Sequence, residues 1–285
     1  MVPTMKRPEP LRDTLRSIAA CEPPPDEVIV IDADSEGSAK AVTDELADAL
    51  DVRYVASRPS VTRQRNLGIE AATGDVVVFL DDDVDVDPRL FGRLAEAYAD
   101  TGVVGATGRV VEPAPGRVVS PSSSLRRLLG GRELDGTFTR YGYPRYILDA
   151  GRERDVEHMF GCFMSARREV ADAIRFDENL PGYALAEDED FSYRLSRLGR
   201  IRYLPDVVVH HRKLGYSAQG TREFGRLVVT NRAYIFRKNF PQTRLARFQF
   251  GLLVAGLVVH RLLNREWRGA RGLIEGVLAQ IRTRA

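Results

Sequence analysis

Two clusters of acidic residues have the residue types and spacing that could do chemistry. The first, Asp81-Asp82-Asp83, directly follows the short apolar run 76–80. Adjacent carboxylates repel one another, and a divalent cation with a phosphorylated ligand is the simplest way to neutralise them. The second cluster, residues 187–190, precedes an apolar helical face, and a helix N-terminus favours negative charge. The pattern predicts a metal site at the first cluster. At the second it predicts either helix-end electrostatics or further functional acids.

A histidine pair, His210 and His211, ends the apolar extended segment 201–209. Imidazole is a common metal ligand, and a pair directly after an apolar strand is a better candidate than a lone surface histidine. The alternative is that neither side chain binds a metal. Carboxylates suit both Mg²⁺ and Mn²⁺, and an added imidazole favours Mn²⁺.

Other sites that use acids or glycines are excluded by spacing. An EF-hand needs Gly at its sixth position and Glu at its twelfth, and neither register that starts at Asp81 or Asp83 supplies them. An aspartyl-phosphate phosphatase would have Thr or Val where Asp85 and Asp87 stand. The glycine-rich fingerprints of dinucleotide sites after early strands and of P-loop ATPases do not occur.

The elements that must position these side chains alternate between β and α. Short apolar runs at 28–31, 52–55, 76–80 and 103–106 read as strands, and helical apolar faces separate them. This order predicts an α/β fold with a mostly parallel central sheet flanked by helices. In such sheets ligands bind at the carboxyl ends of the strands, which is where the first acid cluster lies.

The segment 112–154 interrupts the alternation. Prolines and a serine cluster indicate loops, and arginines alternate with aromatic residues. It is either a solvated insertion or a mobile lid that contacts the acceptor of a reaction.

The totals limit the class of protein. A chain of 285 residues with 44% hydrophobic residues fits one large globular domain with an appendage. The two cysteines, Cys21 and Cys162, form neither a disulfide framework nor a zinc pattern. The N-terminus lacks the apolar core of a signal peptide, so a cytoplasmic location is expected.

Charge is divided unevenly along the chain. Residues 1–221 carry 29 Lys and Arg against 37 Asp and Glu, whereas residues 222–285 carry 13 against 3. The basic tail contains an uncharged run at 248–259, which is shorter than the roughly 20 residues that span a bilayer. The tail is therefore either packed on the domain or bound peripherally to an anionic membrane surface.

Five motifs in order resemble the family-2 glycosyltransferases, which have the nucleotide-diphospho-sugar (GT-A) fold. Residues 2–8 resemble the opening VPTxxRP, and 28–35 resemble the second strand that ends in VDDGS. Residues 65–68 are similar to RNxG, 74–83 to GDhhhFLDDD and 187–191 to EDxDh. The resemblance covers most of residues 2–215, and the five motifs together are specific although each alone is weak.

The resemblance implies a role for each matched position. The implied donor-binding residues are Pro3, Thr4, Asp32, Asp34, Arg65, Asn66, Asp81 and Asp82. The implied metal ligands are Asp83, Asp81 and His210, with His211 as the substitute. Asp188 is the implied general base, with Glu187 beside it. Ala33 and Asp34 replace the family's second Asp and Gly.

These residue types fit sugar transfer. Mn²⁺ or Mg²⁺ stabilises the charge on a departing nucleotide diphosphate, and one carboxylate base without an enzyme nucleophile predicts inversion. The expected enzyme is an inverting, metal-dependent hexosyl- or deoxyhexosyltransferase that uses a nucleotide-sugar donor. Its expected acceptor is a hydroxyl on a lipid-linked or cell-surface glycan. The alternatives are a sugar-phosphate nucleotidyltransferase and a non-catalytic, membrane-associated binding protein.

Two domains are expected, a GT-A domain at 1–221 and a basic amphipathic helical tail at 222–285. The expected location is cytoplasmic, with possible attachment to the cytoplasmic face of an anionic membrane. No nucleic-acid partner is expected.

Overall fold

The computed structural model describes residues 1–112, 135–147, 151–180, 184–212 and 221–282. Most of the loop-rich insertion predicted at 112–154 lies outside these ranges. The first half is a parallel sheet with the order β1-β2-β3. Its strands are β1 (Val2–Thr4), β2 (Val28–Asp32) and β3 (Val52–Ala56), and its helices are α1 (Pro8–Ala19), α2 (Lys40–Glu45) and α3 (Val61–Ala71).

The second half is a mixed sheet with the order β4-β8-β6-β9-β5, and β7 pairs with β9. Only β6 and β9 pair in parallel among its pairings in the described chain. The strands are β4 (Val76–Leu80), β5 (Val84–Val86), β6 (Val103–Val111), β7 (Arg154–Val156), β8 (Phe163–Arg167) and β9 (Arg200–His211). The helices are α4 (Leu90–Tyr98), α5 (Arg168–Ile174) and α6 (Glu187–Ser196).

Met1 joins the two sheets. The Leu80 amide donates to the Met1 carbonyl at 3.1 Å, and the Met1 ammonium donates to the Val78 carbonyl at 2.7 Å. Strand β1 therefore lies between β2 and β4. This places β4, whose end carries the three aspartates, near the middle of the combined sheet.

The predicted α/β fold, with a parallel sheet and flanking helices, is confirmed. The second half contains more antiparallel pairing than the sequence indicated. The regular β-α alternation ends at β6: β8 follows the non-helical residues 157–162 and pairs antiparallel, whereas β9 follows helix α6 and pairs in parallel with β6. A strand that arrives from a loop is not bound to the parallel direction that a helical crossover imposes.

Three helices end the described chain: α7 (Arg222–Asn239), α8 (Arg244–Leu263) and α9 (Trp267–Arg282). Helices α7 and α9 lie so close that a Cβ added at Gly225 would be 2.3 Å from the Gly269 carbonyl oxygen. Helix α8 is long and apolar enough to cross a membrane, by length and composition only, and 11% of its apolar window is buried. The uncharged run 248–259 alone is too short to cross a membrane. The helix is longer because it continues through charged residues at both ends.

Candidate active site

The three aspartates lie in the turn between β4 and β5, and only some of them face open space. Asp82 points inward, where its carboxylate accepts hydrogen bonds from Thr4 Oγ1 and Arg7 Nη1, both at 2.6 Å. Burial raises the pKa of Asp82 to about 6. Arg7 also donates to Asp83 Oδ2 at 2.8 Å. Asp82 thus anchors the turn to β1, and the side chain of Asp81 stays partly exposed.

Strand β5 determines which histidine reaches the aspartates. It pairs antiparallel with β9 so that Val84 is opposite His211 and Asp85 is opposite His210. Neighbouring residues of a strand point to opposite faces. His211 Nε2 therefore lies 3.2 Å from Asp83 Oδ1. His210 is exposed, so the first choice from the sequence does not lie with the aspartates and its substitute does.

Asp81, Asp83 and His211 form a candidate metal site. One ligand atom from each lies within 4.8 Å of the others. Burial opposes charge at both partners, but the hydrogen bond between Asp83 and His211 lowers the pKa of Asp83 to about 2 and raises that of His211 to about 12. The proton on the imidazole thus occupies a position that a cation could take. Two carboxylates and an imidazole fit Mn²⁺, and metal binding to such a site releases the proton.

A buried arginine connects the two acid clusters. Arg65 on α3 donates from Nη1 to Glu187 Oε1 at 2.7 Å and from Nη2 to Asp81 Oδ1 at 3.3 Å. Its Nη2 also donates to the Gly161 carbonyl at 2.9 Å.

Asp188 lies in the first turn of α6 with both oxygens held by backbone amides. Oδ2 accepts from the Gly161 amide at 3.0 Å, and Oδ1 accepts from the Glu189 amide at 2.8 Å. Each oxygen keeps a further lone pair, so this half-buried carboxylate can still accept a proton. Burial and the nearby Asp188 charge raise the pKa of Glu187, whose own carboxylate is bound to Arg65.

Asp32 and Asn66, which were also expected to bind the donor, make internal contacts as well. Asp32 is fully buried and accepts from the amides of Asp34 at 2.8 Å and Ala39 at 3.1 Å, which fixes the loop after β2. The Asn66 amide bonds to Phe176 and to Glu178. These side chains shape the donor side of the site. Pro3 and Thr4 form the end of β1 at the same edge.

Asp34 has a different environment from Asp32. The amide of Glu36 donates to its Oδ1 at 3.1 Å, and such hydrogen bonds lower the pKa of this carboxyl. Asp34 is therefore kept ionised in the loop after β2, although its side chain is also largely buried.

The sequence did not indicate two basic residues of this region. Arg7 binds Asp82 and Asp83, and Arg232 on α7 binds Glu189 through two contacts of 2.7 Å each. Arg7 stands within the motif at 2–8, which was a usable signal. Arg232 lies in a tail with many arginines, where nothing in the sequence distinguishes it.

Comparisons with known proteins agree with this geometry. The model of glycosyl transferase family 2 matches residues 1–175. The succinoglycan biosynthesis protein ExoM of Rhizobium meliloti is 38% identical over 216 residues, which cover 73% of this chain and 64% of that protein. The chain thus spans less than two thirds of this relative's length. The glucosyl-dolichyl phosphate glucuronosyltransferase of Haloferax volcanii is 29% identical over 112 residues, 39% of this chain and 36% of that protein.

A solved structure shows the same fold. The mannosyltransferase PcManGT from Pyrobaculum calidifontis, in complex with GDP-Man and Mn²⁺, superposes with a TM-score of 0.59 at 19% identity. The match covers 98% of this chain and 74% of that one. The family match ends before the second acid cluster, whose position beside Arg65 comes from the structure. With a family model matched over more than half of its length and a GT-A fold, the chain belongs to glycosyl transferase family 2.

Proposed function

We propose that the chain is an inverting, metal-dependent glycosyltransferase. It moves a hexosyl or deoxyhexosyl group from a nucleotide-diphosphate donor to a hydroxyl of a lipid-linked or cell-surface glycan. The observation that carries the proposal is the Arg65 contact with both Asp81 and Glu187, because it holds a donor-side carboxylate beside the candidate base.

The donor half consists of the aspartate turn and its partners. Asp81, Asp83 and His211 would hold Mn²⁺ or Mg²⁺, and the ion would stabilise the charge on the departing diphosphate. Arg7 keeps the turn in place through Asp82 and Asp83, so the two ligand carboxylates are preorganised. The loops after β1 and β2 would surround the nucleoside of the bound donor.

The acceptor half consists of Asp188 and its neighbours. The backbone amides of Gly161 and Glu189 fix the orientation of the Asp188 carboxylate, which would take the proton from the attacking hydroxyl. Glu187 is bound to Arg65 and therefore acts as a positioning residue. A single base without an enzyme nucleophile leads to a single displacement and to inversion at the anomeric carbon.

The relatives support the choice of partners. The superposed mannosyltransferase is described with GDP-Man and Mn²⁺, and the Haloferax relative is named for a glucosyl-dolichyl phosphate acceptor. For this chain we take a nucleotide sugar as donor and a lipid-linked glycan as acceptor. Residues 1–221 would form the transferase domain, and the tail 222–285 would attach peripherally to the cytoplasmic face of the membrane.

The substitution Asp188→Asn tests the base. A thermal-shift screen of UDP-, GDP- and dTDP-sugars with Mn²⁺ first identifies the donor. Asp188→Asn should then lower the transfer rate by about 10²- to 10⁴-fold, because the amide cannot take the proton, while the donor-induced shift stays unchanged. Asp172→Asn, an exposed acid on α5, is the matched control and should transfer normally. Full transfer by Asp188→Asn would refute the assignment.

A further inference from the structure

A cavity lies beside the candidate base. A cavity of about 330 Å³ opens between α6 and the three C-terminal helices, and Asp188 is part of its wall. This volume is at the lower end of the range of roughly 300–1,000 Å³ that ligand sites occupy. The cavity therefore has space for a small ligand within reach of the base.

One end of the cavity is polar. Arg232 and Glu189 form a two-contact ion pair there, with side chains that are 15% and 6% exposed. The Arg232 guanidinium also lies over the ring of Tyr143 at 4.9 Å, and Tyr146 lines the same wall. Burying such a pair costs free energy that apolar packing would not. The pair sets hydrogen-bond donors and acceptors, together with aromatic faces, next to Asp188, which is the chemistry that binds sugar rings.

The α7 wall of the cavity becomes apolar away from this ion pair. Val228 and Phe224 precede Arg232 on α7 by one and two turns, so the three side chains lie along one stripe of the helix. Leu257 of α8 and Leu273 of α9 also line the cavity, as does Arg261, which lies one turn after Leu257 and is paired with Glu266. Over about 12 Å along α7 the wall formed by this helix thus changes from charged to apolar.

Helix α8 carries an exposed apolar surface in addition to the face that lines the cavity. The outward stripe of this helix carries large apolar side chains that are exposed: Leu245, Phe248, Leu252, Val259, Leu262 and Leu263. Leu257 belongs to the same helix but lines the cavity. The cavity wall and the exposed apolar stripe therefore belong to different faces of α8.

We propose that this cavity is the acceptor subsite and that it takes an amphiphile, a sugar joined to a hydrocarbon chain. The sugar hydroxyls meet Glu189 and Arg232, and the chain lies among Phe224, Val228 and Leu257. The inference rests on the proposed function and names its acceptor class. It also assigns the selection of that class to the C-terminal helices.

Binding of two short glucosides tests the inference without a need for transfer. Isothermal titration should show that hexyl β-glucoside binds at least tenfold more tightly than methyl β-glucoside to the full chain. Leu257→Trp adds bulk to the cavity wall and Leu257→Asn removes its apolar contact, so both should abolish this preference. Leu252→Trp, on the exposed face of the same helix, is the matched control and should keep it.

The outcomes separate the inference from the proposed function. Equal affinity for the two glucosides, or an unchanged preference in both Leu257 variants, overturns the inference even if sugar transfer is intact. Nucleotide-sugar binding is measured on the same samples and should be unaffected in all three variants. Loss of donor binding in the unmodified chain would instead contradict the proposed function, whatever the glucosides do.

Discussion

At the scale of single residues, the acid clusters are balanced by basic side chains that the fold supplies. Arg7 and His211 bind Asp83, Arg65 binds Glu187, and Arg232 binds Glu189. These contacts stabilise the closely spaced carboxylates before any ion or ligand arrives. A divalent cation would therefore enter an already neutralised site and replace a proton on His211.

The two adjacent histidines provide a matched pair for testing the metal site. His211→Ala should raise the Mn²⁺ concentration needed for half-saturation by at least tenfold, because one ligand is lost, whereas His210→Ala should leave it unchanged. Electron paramagnetic resonance of free Mn²⁺ measures binding without reference to activity. Equal effects of the two substitutions, or no effect of His211→Ala, would contradict the assigned ligand.

The sequence indicates these residue types but not their orientation. Two histidines after an apolar strand are equivalent in a sequence pattern, and the choice between them depends on the pairing of β5 with β9. Strand β5 has three residues, which is too few for a recognisable alternation. The internal hydrogen bond of Asn66 could not be predicted for a related reason, because its partner Phe176 lies 110 positions away.

At the scale of elements, the second acid cluster is held by side-chain contacts between helix α7, helix α6 and the loop before α6, which together form the α6–α7 joint. Lys238 of α7 contacts Asp177 at 2.6 Å and Asp190 of α6 at 3.0 Å, and Tyr234 also donates to Asp177 at 2.8 Å. Helix α7 is thus bound to the loop before α6 and to α6 itself. The direction of Asp188 depends on this joint as well as on its own hydrogen bonds.

This joint predicts a pH dependence of stability. Burial opposes the charge of Asp177, but hydrogen bonds from Lys238, the Asn179 amide and Tyr234 outweigh it and hold its pKa well below the usual range. A carboxyl with a depressed folded-state pKa stabilises the protein above its unfolded pKa of about 3.9 and loses that contribution as pH falls further.

Urea unfolding at several pH values measures this contribution. Asp177→Asn should be clearly less stable than the unmodified chain at pH near 6, and the difference in free energy of unfolding should shrink below pH ~4. Asp172→Asn, whose side chain is 53% exposed, is the control and should show little difference at either pH. A difference for Asp177→Asn that is independent of pH would contradict the linkage.

The longer elements follow from the sequence because each has a strong local cause. The five buried residues of β2 are a continuous apolar run closed by an aspartate, and α1 buries Leu11, Leu15 and Ile18 at helical spacing. Helix α8 is longer than the uncharged run 248–259, because charged residues on both sides of the run belong to the helix. Arg244 and Arg247 are exposed there, and Arg261 is paired with Glu266.

At the scale of the whole molecule, charge and apolar exposure coincide on the C-terminal helices. The basic excess of residues 222–285 could be counted from the sequence. That the apolar stripe of α8 faces outward, and that the same helix lines a cavity next to Asp188, depends on how the three helices pack. A helix packed on the domain would have buried this stripe, which favours the membrane interpretation of the tail.

Trp267, the single tryptophan, reports on membrane contact. It lies at the start of α9 and is 64% exposed, so its emission should shift to the blue on phosphatidylcholine vesicles that contain phosphatidylglycerol. Added salt should weaken the shift, because the arginines bind anionic headgroups electrostatically.

Substitutions on the exposed stripe complete the vesicle experiment. Leu252→Glu should reduce the shift several-fold, whereas Leu198→Glu, an equally exposed leucine at the end of α6, should not. A shift that is the same with purely zwitterionic vesicles, or that survives in Leu252→Glu, would contradict interfacial binding. Persistence in high salt would favour a helix that spans the bilayer.

The Arg65 bridge also limits how members of this family could exchange parts. The family match ends at residue 175, so Arg65 lies within the shared portion and its partner Glu187 lies beyond it. A chimera that joined residues 1–175 to the C-terminal part of a relative would inherit a buried guanidinium whose partner comes from the new segment. Without a carboxylate at position 187 the cation would be left partly unpaired, and the graft would disturb the donor side while altering the acceptor side. A graft at this boundary would therefore have to supply a carboxylate at position 187 to keep the ion pair with Arg65.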